Sequence, residues 1–125
     1  MALSAKLTGS VVIATDAART QALASRSWDM VVSTYQRSVT QVVEVAAGGT
    51  LTVSLGTIST PQFLCVLTEG DLKVRTDAAD GSAQRVTPPL TGQPGVFLKT
   101  GSLTGVWLEA PGDAVEATVI VAGLE

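Results

Sequence analysis

The stretch "VTQVVEVAAGGTLTVSLG" limits the fold of this chain more than any other. In its second half Leu51, Val53 and Leu55 alternate with Thr50, Thr52 and Ser54. A period of two belongs to a strand with one dry face and one wet face, whereas a helix repeats its apolar positions every three to four residues. β-Branched residues dominate both arms and fit a pleated, half-buried surface. Gly48 and Gly49 lie between the arms and tolerate the positive φ of a tight connection, so the segment reads as a β-hairpin.

The stretch that follows, "TPQFLCVLTEGDLKVRTD", reads as a second, core hairpin. Phe63, Cys65 and Leu67 fall on one face of its first strand, and Leu64 and Val66 on the other. Apolar residues on both faces predict a central strand covered on both sides. Pro61 marks its start, where a missing N–H is harmless. "TEGD" turns the chain, after which Leu72 and Val74 face in while Lys73 and Arg75 face out.

Upstream, "AKLTGSVVIA" predicts a first strand with Leu7, Val11 and Ile13 on one face. In "TDAARTQALASRS", Asp16 is suited to cap a helix, but the apolar spacing is poor. The segment 15–29 reads as an extended loop or arm, and Trp28 begins the next strand. Downstream, "RVTPPLTGQPG" holds three of the five prolines and cannot be a paired central strand. "GVFLKTGSLTGVWLEAPGDAVEATVIVAG" supplies two or three further strands, broken by the turn signal "APGD". Val115, Ala117, Val119 and Val121 share a face of the last one, and Trp107 reads as core. No long helix is visible, nor any repeat with a period of about 20 to 50 residues. The chain is therefore expected to be all-β: a single domain over residues 1–125, an antiparallel β-sandwich or jelly roll of seven to eight short strands, with 15–29 as an extended arm.

Composition narrows the function classes. There is no histidine, which removes the commonest general base and metal ligand and makes Ser-His-Asp and Cys-His sites impossible. The lone cysteine, Cys65, excludes an internal disulfide and reads as a buried small hydrophobe. A net charge of −3 with scattered basic residues disfavours direct nucleic-acid binding. No apolar stretch is long enough to span a membrane as a helix, and "MALSAKL" lacks the apolar core of a signal peptide, so synthesis in a cytoplasm is expected. Hydrophobic residues make up 46% but aromatics only 4%, so the core must be aliphatic. Charged residues stand at 15%, against about 25% in typical chains, which points to surface covered by other chains.

The candidate chemistry is sparse. Glu109 with Glu116, and Glu69 with Asp71, are the carboxylate pairs that flank turns, where charged residues are usually solvated. "DAADG", with Asp77, Asp80 and Gly81, resembles part of a calcium loop but lacks the distal Glu and the flanking helices, and reads better as a capped turn. No glycine cluster precedes a helix, so no nucleotide site is expected. No catalytic, cofactor-binding or metal-binding residue is assigned. Trp28, Tyr35 and Trp107 are the aromatic candidates for a sugar platform.

From "VAAGGTLTVSLGTISTPQFLCVLTEGDLKVRTD" through the Pro/Gly loop to "GVFLKTGSLTGVWLEAPGDAVEATVIVAGLE", the order of elements resembles small all-β virion proteins of tailed bacteriophages. The resemblance covers about residues 43 to 125 and carries over no site residue. It implies a non-enzymatic structural role in the capsid, connector or tail of a virion, of the head decoration or head–tail joining type. The implied partners are other copies of the chain and other virion proteins. The 15–29 arm, with Arg19, Arg26 and Trp28, is expected to reach a neighbour, and Tyr35 is counted with them as interface. The alternative is a glycan-binding module for cell-surface recognition, with its site formed by Trp28, Tyr35 and the loop 77–95.

Overall fold

The computed structural model describes the backbone of residues 3–14 and 22–35, and residues 37–101 and 103–124 together with their side chains. The chain divides into two compact units, Met1–Tyr35 and Gln36–Glu125.

The first unit is an antiparallel ribbon of β1 (Leu3–Ala14) and β2 (Ala22–Tyr35). At about 3.4 Å per residue, the twelve residues of β1 make a ribbon about 40 Å long. The predicted first strand is present. Residues 22–29, read from sequence as part of a loop or arm, belong to β2. Their local pattern is weak because Arg26 interrupts the alternation of Ala22, Ala24, Trp28 and Met30. Pairing with β1 supplies the ladder that this pattern does not announce. Residues 15–21, Arg19 among them, lie outside the described residues.

The second unit is a sandwich of two four-stranded antiparallel sheets. The long sheet has the order β3 (Arg37–Val45), β10 (Val115–Leu124), β5 (Thr60–Thr68), β8 (Gly95–Thr100). The short sheet has the order β4 (Thr50–Thr52), β9 (Trp107–Glu109), β6 (Leu72–Arg75), β7 (Gln84–Val86). Numbered within the sandwich, one sheet holds strands one, eight, three and six, and the other two, seven, four and five. That is the strand order of a jelly roll, so the all-β sandwich expected from sequence takes this form.

Both predicted hairpins are corrected by this topology. β3 pairs with β10 and β4 with β9, so "AAGG" carries the chain from one sheet to the other. β5 and β6 are likewise in different sheets, and "TEGD" is a corner between them. Packed sheets stand about 10 Å apart, a gap that about three extended residues span. A connection of three or four residues therefore serves a crossing as well as a hairpin, and its sequence does not distinguish the two. The corners are closed locally. Gly48 (φ 66°) donates its N–H to Gly112 O at 3.1 Å, and Ala110 N donates to Gly49 O at 3.1 Å, tying "AAGG" to "APGD". The buried Thr68 hydroxyl donates to Gly70 O at 2.8 Å and accepts from Gly70 N at 3.3 Å, so it is satisfied within the β5–β6 corner.

The core is aliphatic, as composition required. Leu64, Val66, Val119 and Val121 from the long sheet meet Leu72, Val74, Val106 and Leu108 from the short side. Among the described residues no helix is long and apolar enough to cross a membrane.

Candidate assembly surface

The two outer faces of the sandwich have opposite chemistry. On the short sheet, Lys73 lies across from Glu109, and Arg75 lies across from Trp107. Arg75 Nη1 donates to Glu109 Oε1 at 2.9 Å, Arg75 Nε donates to Gly81 O at 3.0 Å, and Lys73 Nζ stands 3.8 Å from Glu109 Oε2. Farther along, Arg85 holds both Asp71 oxygens through one guanidinium edge, Nε donating to Oδ1 at 2.9 Å and Nη2 to Oδ2, and Thr87 adds a hydroxyl donor at 3.1 Å. The hydrogen bonds from Arg85 hold the Asp71 carboxyl below the usual carboxylate range, and Asp71 in turn raises the Arg85 guanidinium. This face is laced with ion pairs and suited to water. Trp107, expected in the core, is half-buried here instead, since Leu108 takes the inward position on the same strand.

The outer face of the long sheet carries no charge through three successive rows. Register aligns Val42, Thr118, Leu67 and Val96 in one row. The next is Thr40, Ile120, Cys65 and Leu98, and the third is Ser38, Ala122, Phe63 and Thr100. Val42 is 63% exposed, Val96 61%, Leu98 40% and Leu67 37%, so the first two rows are open, whereas Phe63 and Ala122 in the third are buried. At about 4.8 Å per strand and about 6.8 Å per row, the two rows that carry exposed apolar side chains measure about 260 Å². β5 is central, as predicted, but its outer side is covered only in part. Partial burial raises the Cys65 thiol pKa. Beyond the uncharged rows, Glu44 faces Glu116 directly, and Glu69 N bonds Glu116 O beside them, so three exposed carboxylates close one end of the face.

The sheet edges differ as well. β3 is a nine-residue edge strand without proline and with an unbroken ladder to β10. The opposite edge of the long sheet, β8, has six residues, and the short sheet ends in three-residue strands on both sides. Pro88 and Pro89 follow β7 directly after Thr87. A long, flat, unblocked edge offers unpaired backbone groups to another chain.

The sequence-level candidates for chemistry are dispersed. Glu109 is bound by Arg75 on the short sheet, whereas Glu116 stands on the outer face of the long one, so they do not form a facing pair. Asp71 is committed to Arg85 while Glu69 adjoins Glu116. "DAADG" closes as a turn, with Gly81 N donating to Ala78 O at 3.0 Å. Among the described residues no group of three His, Cys, Asp or Glu is placed to hold a metal ion. Of the expected interface residues, Arg26 and Trp28 are two apart on β2, and register puts them on one face of the ribbon with Val11 and Gly9. Tyr35 pairs with Leu3 at the end of the ladder. The uncharged outer face of β3-β10-β5-β8 escaped the sequence reading. Its signal was present in the apolar outer residues of β5, which were read as buried. No family model matches the chain, and no characterised protein matches it in sequence.

Proposed function

We propose that this chain is a non-enzymatic structural subunit of a tailed-bacteriophage particle, joined to its neighbours by repeated contacts in the capsid, connector or tail. The head-associated role, as a decoration or head–tail joining protein, is the preferred one. The observation that carries the reading is the uncharged outer face of the long sheet, opposite an outer face laced with ion pairs. A lone domain gains nothing from one apolar outer face, while a subunit gains burial at each copy. The open β3 edge adds a second means of attachment, through backbone pairing. The jelly roll is also an architecture of viral capsid and lectin domains, a fold-level analogy that agrees with the reading without deciding it.

Mass spectrometry of purified particles of the encoding phage tests this directly. The chain is expected at a copy number fixed relative to the other virion proteins. Its confinement to the infected-cell lysate, absent from particles, refutes the reading.

A further inference from the structure

The ribbon of β1 and β2 has one polar face and one apolar face. Its register is unbroken from Ala5↔Val32 to Ile13↔Ala24, and residues paired directly across an antiparallel ribbon share a face. One face carries Lys6, Thr8 and Ser10 on β1 and Ser25, Ser27 and Asp29 on β2. The other consists of five rows, and Arg26 is the single charged residue on it. Two strands alone are marginally stable in water, and further strands that complete an apolar layer remove that weakness. We infer that the apolar face of this ribbon packs on the same face of a second copy's ribbon, about a two-fold axis parallel to the strands. The contact adds to the structural-subunit reading and uses residues of the first unit only.

The order of residue sizes along the rows argues for this occupant. In the middle row Gly9 lies across from Trp28, the smallest residue beside the largest. At one end Ala5 lies across from Val32, and at the other Ile13 lies across from Ala24. A two-fold contact uses one patch twice, so the patch must complement itself. An axis parallel to the strands sets β1 of each copy over β2 of the other and keeps every row on its own row. Trp28 is then opposite Gly9, Ile13 opposite Ala24 and Val32 opposite Ala5, so large meets small, as close packing requires. An axis across the strands through the middle row would set Trp28 on Trp28 and Gly9 on Gly9, overpacked beside a void. Packed sheets hold their strands within about 30° of alignment, and the middle row keeps its match best as the strands diverge. The ribbon is two strands wide, so Arg26 is at the margin of the contact, and the two copies' Arg26 positions fall on opposite margins.

At about 4.8 Å per strand and about 6.8 Å per row, the contact covers about 330 Å² of each copy. Stable free-standing pairs remove about 1,200 Å² or more in all, so this one is weak alone and gains strength where other contacts hold the copies together.

Sedimentation equilibrium of the full chain at rising concentration tests the contact. The parent is expected to dimerise at the high end. Gly9→Trp sets tryptophan on tryptophan and Trp28→Gly sets glycine on glycine, so each variant alone should dimerise about tenfold or more weakly. Mixed one to one they should recover, because every tryptophan then has a glycine opposite it in the other variant, a recovery that no folding defect produces. Where either variant loses the parent's circular-dichroism spectrum, Gly9→Leu with Trp28→Ala carries the same test. A mixture no better than the single variants overturns the orientation. A parent that stays monomeric at every concentration, or whose association neither change weakens, overturns the ribbon contact and leaves the subunit reading to the particle measurement. Recovery in the mixture by a chain absent from particles upholds the contact and refutes that reading alone.

Discussion

Deleting the same two methyl groups from two valines of the long sheet measures how differently its faces are packed. Val66 points into the core and is 0% exposed, whereas Val42 points outward and is 63% exposed. In Val66→Ala the lost transfer free energy is about 1.6 kcal/mol, at about 0.8 kcal/mol per carbon group. The cavity left by two methyls, about 45 Å³ at about 24 cal/mol per Å³, adds about 1 kcal/mol. The sum is about 2.5 kcal/mol. In Val42→Ala only about a third of the side chain leaves a dry environment and no cavity forms, so the cost is about 0.6 kcal/mol. Urea titration followed by far-UV circular dichroism on the dilute chain reads both. With a slope of about 1.7 kcal/mol per molar, Val66→Ala moves the midpoint down by about 1.5 M and Val42→Ala by about 0.3 M. Equal shifts would show that Val42 is packed in the isolated chain. The outer face would then not be available to a neighbour, and the argument for an assembly surface would fail.

Two further outcomes follow from local geometry. Gly123→Ala places a Cβ against the backbone carbonyl oxygen of Thr60 and within 2.8 Å of Pro61 Cα, where neither neighbour can rotate away. Thermal unfolding should therefore shift down by more than for Gly112→Ala, whose Cβ meets nothing, and equal melting temperatures would refute the close approach of β10 and β5. Asp71 has a native pKa below its unfolded value, so its pairing with Arg85 stabilises the fold above the ordinary carboxylate pKa and is lost as pH falls through the depressed one. Asp71→Asn should remove that part of the acid dependence in a pH series of urea titrations, and an unchanged slope below about pH 4 would contradict the pairing.

The strands were legible because alternation is a local property. Leu51, Val53 and Leu55, or Val115, Ala117 and Val119, declare one dry face whatever lies across from them. Strand order was not, because the corners at Ala46–Gly49 and Glu69–Asp71 are as short as hairpin turns. Trp107 was misplaced because in a three-residue strand the choice of inward residue falls to its neighbour, Leu108. The candidate surface was hidden for a related reason. Leu67 and Cys65 carry the same apolar signature whether a second layer of the same chain or another molecule covers them. Sequence records that such residues avoid water, and only the three-dimensional arrangement shows which cover is missing. Arg26 and Trp28 were singled out as part of an extended arm, and they lie on β2 of a paired ribbon.

β10 is synthesised after every other described strand, yet it is flanked by β3 and β5 in the interior of the long sheet. The ribosome must therefore expose about eighty residues of the sandwich before its principal sheet can be completed, and the pairing of β3 with β10 is as distant along the chain as this unit allows. Until then the long sheet lacks an interior strand and its outer face is unfinished. The outer face of the long sheet is therefore completed in the same step as the fold itself.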